Sequence, residues 1–248
     1  MNREAKRLPH GWGMRAGRIL AYAVLLAACR APLESRPESA AIRPPAAAET
    51  ERYEVDPGRS RIILRVYREG PLAALGHNHV IAVHGLEGSV RWHPDPARCG
   101  VALRFAVAAL GVDEPELRTT AGADFATPLD EPARTGTRRN MLGPRLLEAD
   151  RFPEITLVSE SISGSASAPR IALRAHVAGR DARFDVPAQL WRDAEGIRAT
   201  GAFELRQTTL GLTPFSTLLG ALRVADTLQV QFDIRARPLR GAAGDRAS

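Results

Sequence analysis

The chain has almost no lysine. Lys6 is the only one, although Lys and Arg together number 34 of 248 residues. Its basic charge is arginine throughout, which reads as genomic composition bias rather than phosphate recognition. Cysteine is nearly absent too, with only Cys29 and Cys99. That excludes a framework of several disulfides. No apolar run reaches the roughly 20 residues of a membrane-spanning helix. Ile19 to Ala28 is only ten residues long. There is no Gly-x-Ser-x-Gly elbow and no phosphate-cradling glycine loop, so no nucleophile constellation stands out and the chain is not expected to be an enzyme.

What is present begins with a basic leader. Arg3, Lys6, Arg7, Arg15 and Arg18 precede the apolar run, the pattern of a secretory signal. The run ends in Leu26-Ala27-Ala28-Cys29. This resembles a bacterial lipobox, in which small residues precede a cysteine that is lipidated and becomes the first residue after cleavage. Two or three acyl chains would hold such a protein stably on a membrane. Arg30 follows the cysteine instead of Asp, which resembles outer-membrane delivery. The expected localisation is therefore the periplasm, anchored to the outer membrane through Cys29.

The formal charge of +6 belongs mostly to the leader. Its five cations and Glu4 leave with the signal, and the mature chain is near +2. A nucleic-acid partner loses its support. The domain reading is a signal peptide over 1–28, a flexible tether over 29–52, a folded domain over 53–238 and a disordered tail over 239–248. The tether contains Pro32, Pro37, Pro44 and Pro45 among Ala, Glu and Ser and cannot build a core. Cys99 lies beside Val101, Leu103 and Phe105 and reads as a small buried hydrophobe.

Within the domain the dominant period is two. Ile62, Leu64 and Val66 alternate with Ile63, Arg65 and Tyr67. The same pattern recurs around Phe105, Leu173, Val186, Phe203 and Val230, with further strands near Val80–Trp92 and Ile155–Ser161. Each segment is a strand with one apolar and one wet face. About eight such strands in series predict an antiparallel barrel or sandwich. One interruption, Asp113 to Asp150, ends in a segment from Arg138 to Glu148 that reads as a short helix broken at Gly143-Pro144, able to cap a barrel mouth.

The order of short motifs resembles the YceI-like family of periplasmic proteins. It starts at Tyr53-Glu54-Val55-Asp56-Pro57 with Ser60, and continues through Gly76, Met141-Leu142 and Phe152-Pro153-Glu154-Ile155 to Ser159. It then runs through Val177-Ala178-Gly179-Arg180, Val186-Pro187 and Thr208-Thr209-Leu210-Gly211, closing at Gly220-Ala221 and Val224-Ala225-Asp226. The resemblance implies an all-β, lipocalin-like, eight-stranded antiparallel β-barrel with a long apolar pocket for polyisoprenoid chains or similar amphiphiles, and no catalysis. Two positions depart from the family pattern. His77 stands where an aromatic usually follows the glycine, and Gln207 where many members carry Arg.

In such a barrel Leu64, Val66, Phe105, Leu157, Leu173, Phe203 and Phe232 are expected to line the wall. Met141, Leu142 and Phe215 would close one end. His77, His79 and Gln207 would orient a polar head at the mouth. No cofactor is expected. His77 and His79 share one face of a strand, with His84 five residues on, and are weak candidates for metal or haem iron; spacing places no third ligand. The expected partners are a hydrophobic small molecule or lipid and the membrane, with a homodimer left open. The alternatives are a metal-linked envelope protein using His77 and His79, and a structural lipoprotein with a filled barrel.

Overall fold

The structure is a computed structural model that describes residues 50–239. The signal segment, Cys29, most of the tether and nearly all of the tail lie outside the described residues. Glu51 and Arg52, which composition assigns to the tether, are already paired with Trp92 and Arg91.

Alternation builds eight long strands, several of them bent into two segments. The first comprises β1 (Glu51–Val55) and β2 (Arg61–Glu69), the second β3 (His79–Val83) and β4 (Glu87–Trp92), and the third β5 (Gly100–Ala106) and β6 (Leu110–Val112). A long excursion follows, with α1 (Pro115–Thr120) and α2 (Glu131–Leu142). The fourth and fifth strands are β7 (Glu154–Gly164) and β8 (Pro169–Val177). The sixth is β9 (Arg180–Pro187) with β10 (Gln189–Arg192), and the seventh is β11 (Ile197–Arg206). After the two-residue β12 (Ser216–Thr217), the eighth is β13 (Leu222–Pro238).

Every ladder is antiparallel, and sequential strands are neighbours. β13 then pairs with β11 on one edge and with β2 and β1 on the other, closing the sheet into an eight-stranded barrel. Closure removes the exposed edges that an open sheet would present. The apolar face predicted for each strand points inward, so Ile62, Leu64 and Val66 face Leu228, Val230 and Phe232 across one ladder. The bend between β1 and β2 is fixed by Asp56, whose carboxylate accepts the amides of Gly58 and Arg59. In β7 a bulge at Ser159–Ser161 reverses the parity, so Ile155 and Leu157 face inward on one side of it and Ile162 on the other.

The closure has one seam. β10 pairs with β11, but among the described residues β9 pairs only with β8. Across the gap Phe184 and Phe203 stack with ring centroids 6.1 Å apart. Gly201 lets the strands approach where the seam begins. A Cβ there would lie 2.6 Å from the Phe232 ring and from the Pro187 carbonyl. Gly201→Val is expected to destabilise the protein by about 1–3 kcal/mol through overpacking, measured as a lower urea midpoint at unchanged slope.

The helical segment differs from expectation in extent. α2 starts at Glu131, seven residues before the predicted helix, and ends at Leu142, so Gly143 terminates it rather than breaking it. Its start is fixed by Asp130, whose side chain accepts the Ala133 amide, with Pro132 in the first turn. The earlier start escaped the sequence reading because α2 carries no apolar stripe: none of its residues is buried. Arg138 instead pins it to the barrel, donating to the carbonyls of Ala108 at 2.6 Å and of Leu110.

Candidate functional site

The barrel is hollow. A cavity of about 670 Å³ is lined by inward side chains of all eight strands and by α2. That volume lies within the range of ligand-binding pockets. It extends from Arg68, His77 and His79 at the α2 end to His93, Cys99 and Ser165 at the opposite floor. His79 and His93 bracket the whole second strand. At ~3.3 Å per residue and a tilt of about 40°, that is roughly 35 Å of axial length. The cavity is thus long and narrow, shaped for an extended chain rather than a bulky ring system.

Leu64, Val66, Phe105, Leu157, Leu173, Phe203, Phe232, Met141 and Phe215 all line it. Leu142 does not. It packs against the hydrophobic core beside the cavity, because α2 turns Met141 and not its neighbour to the lumen. The helix lays the small residues Ala133, Gly136 and Thr137 across this end, with Asn140.

The polar residues of the mouth are also brought together at the lumen. His79 begins β3, and its Nδ1 lies 2.6 Å from Asp113 Oδ2. Asp113 is buried, and its Oδ1 accepts the Val80 amide at 2.9 Å and the Arg118 guanidinium at 2.6 Å. Arg118 is buried as well and also donates to the carbonyls of Asn78 and Thr127. Burial pushes the Asp113 carboxyl up, but the hydrogen bonds from His79, Val80 and Arg118 outweigh it and hold the group below the usual carboxylate range. An ionised carboxylate only accepts, so His79 Nδ1 carries the proton in this assignment. Nε2 is then the ring atom without a protein partner among the described residues. Asp113 itself sits at φ 53°, an uncommon backbone for a residue other than glycine.

His77 lies beside this cluster. Burial, then His79, Arg68 and Arg118, hold its imidazole below the ordinary histidine range. Gln207 is not at an exposed rim. It is buried at the end of β11, its amide donating to the Ala225 carbonyl at 2.8 Å. His84 is turned outward to Glu114, away from the lumen. Among the described residues no group of three or more His, Cys, Asp or Glu is placed to hold a metal ion.

Sequence reasoning missed Asp113 and Arg118, which stand in the long interruption with no motif around them. It also missed the floor. Cys99, read as a buried hydrophobe, is half-buried, and its thiol bonds to the backbone of His93. His93 lines the lumen there, with its Nδ1 accepting the Asp95 amide.

No protein-family model and no curated protein matches the sequence. Solved structures do. Burkholderia cenocepacia BcnA superposes with a TM-score of 0.54 at 14% identity, covering 73% of this chain and 98% of its own. A polyisoprenoid binding domain from Saccharophagus degradans, implicated in plant cell wall breakdown, gives 0.51 at 11% identity, over 75% and 98%. The chain shares the fold of these two structures. At these identities the likeness lies in the backbone path.

Proposed function

We infer that the protein holds one isoprenoid or similar amphiphilic lipid in its barrel and is a binding protein rather than an enzyme. The observation that carries this is the apolar cavity running the length of the barrel with its polar cluster at one end. Each buried CH₂ of a chain contributes roughly 0.8 kcal/mol, so a long narrow lumen selects for long chains. The His77–His79 end suits a small polar head, since His79 Nε2 is free while Nδ1 is committed to Asp113. The Saccharophagus degradans domain, a polyisoprenoid binding domain with the same fold, supports the assignment. In this reading the chain is exported, lipidated at Cys29 and held at the outer membrane from the periplasmic side, beside its lipid source.

Native mass spectrometry of the full chain, released from membranes by a detergent that dissociates in the gas phase, tests it. A discrete added mass beyond the anchor, removed by organic extraction, is expected. Bare protein in repeated preparations, with no uptake of added prenyl lipid, would sink the reading. The lid adds a kinetic prediction. Arg138→Ala removes the two bonds that hold α2 over the lumen, so release of bound lipid to acceptor vesicles should accelerate several-fold, with a smaller change in affinity.

A further inference from the structure

Two loops at the α2 end of the barrel expose leucines. The loop after β2 carries Leu72 and Leu75, which are 38% and 68% exposed. The loop before β13 carries Leu218 and Leu219, 55% exposed and fully exposed. The loops are clasped together. The Leu72 amide donates to the Ala221 carbonyl at 2.9 Å. Gly70, at φ 103°, permits the approach, since a Cβ there would lie 2.6 Å from that same carbonyl. The four leucines therefore belong to one rim. That rim borders the lumen, because Leu75, Gly76, Thr217 and Leu222 line the cavity.

Leu218 and Leu219 also carry backbone strain. Both have left-handed φ, 51° and 55°. This conformation is unfavourable for any residue with a side chain. At Leu219 no burial among the described residues offsets it, since the side chain is fully exposed. The charge around the rim is positive. Arg68 and Arg145 donate to the carbonyls of Gly76 and Ser216, and Arg223 pairs with Glu69. Arg145 also lies over the Phe215 ring, itself in the cavity wall. Of these four charged side chains, two cations remain unbalanced.

We propose that this leucine rim is a bilayer-docking surface, which inserts Leu72, Leu75, Leu218 and Leu219 among the acyl chains of an anionic phospholipid membrane and opens the lumen to it. Apolar side chains ringed by arginine are the chemistry of interfacial insertion. The strained leucines are held outward where a membrane can bury them. The inference draws its purpose from the lipid-binding reading, but its geometry stands apart from it.

The test uses the full chain and vesicles of phosphatidylglycerol and phosphatidylethanolamine. Leu219→Trp places a reporter on the rim, and its difference spectrum against the unaltered chain isolates that position from the native tryptophans. A blue shift and quenching by lipids brominated on the acyl chain are expected. An unquenched reporter would overturn the proposal, whatever the N-terminus does. In parallel, Leu218→Ser/Leu219→Ser should slow uptake of a pyrene-labelled prenyl lipid from the vesicles at least tenfold and leave the final load unchanged. Both positions are exposed, so the fold is retained. Unslowed uptake would overturn docking. A reporter that is quenched in a protein that takes up no lipid would leave docking standing and defeat the carrier reading. Size-dependent self-association removed by the same double change would assign the rim to a second copy of the chain, and so overturn the membrane proposal.

Discussion

Ala199→Trp is expected to abolish lipid binding and leave the barrel standing. Ala199 lies on the inner face of β11, paired with Leu190 on one side and Ile234 on the other, and it lines the cavity. An indole there projects into the slot along which a chain must lie. If it excludes about four methylenes, roughly 3 kcal/mol of transfer free energy is lost, more than a hundredfold in affinity. The effect on stability has the opposite sign to a usual core insertion. Overpacking costs about 1–3 kcal/mol where no space exists, whereas filling a void commonly stabilises by about 0.5–2 kcal/mol. With about 670 Å³ available, filling wins. Thermal melts should therefore show an unchanged or higher midpoint, while native mass spectra lose the lipid adduct. A folded variant with normal lipid load would show that the chain does not occupy the lumen.

The second large effect is expected at Asp113. Asp113→Ala should destabilise the protein by about 3–5 kcal/mol, because it leaves the buried Arg118 guanidinium without its anionic partner. Asp113→Asn should cost less. Asn keeps acceptor capacity toward Val80 and tolerates the positive φ, which Ala does not. The pair also predicts a pH dependence. The folded-state pKa of Asp113 is depressed, so its contribution is fully present above the unfolded value of about 3.9 and is lost as pH falls through the folded value. Unfolding midpoints of the unaltered protein should fall in that acid window. The Asn variant should lack that component of the loss. An Ala variant as stable as the parent would mean that Arg118 finds another anion or water.

Much of this architecture is legible in the sequence, for a physical reason. A one-sided strand must alternate, and a closed barrel is eight alternations in series. The inward positions Leu64, Leu173, Phe203 and Phe232 follow from period two alone. What alternation does not carry is the end of the barrel. α2 is held by an arginine and two carbonyls, not by an apolar stripe, so its start at Glu131 left no periodic mark. For the same reason Met141 and Leu142 were both expected at the lumen and only Met141 lines it, since an unmarked helix has no readable face. Asp113 and Arg118 meet His79 only through the fold, 34 and 39 positions away along the chain. The leucine rim was equally hidden. A pair such as Leu218-Leu219 reads as core until a structure shows it standing outside.

The pairing that closes the barrel brings Tyr53 opposite Pro238, so the chain enters and leaves the fold side by side at the floor. Whatever grips either terminus grips the base. The lip with its leucines stands at the other end, clear of both strand ends, so a partner held at either terminus leaves the opening unobstructed.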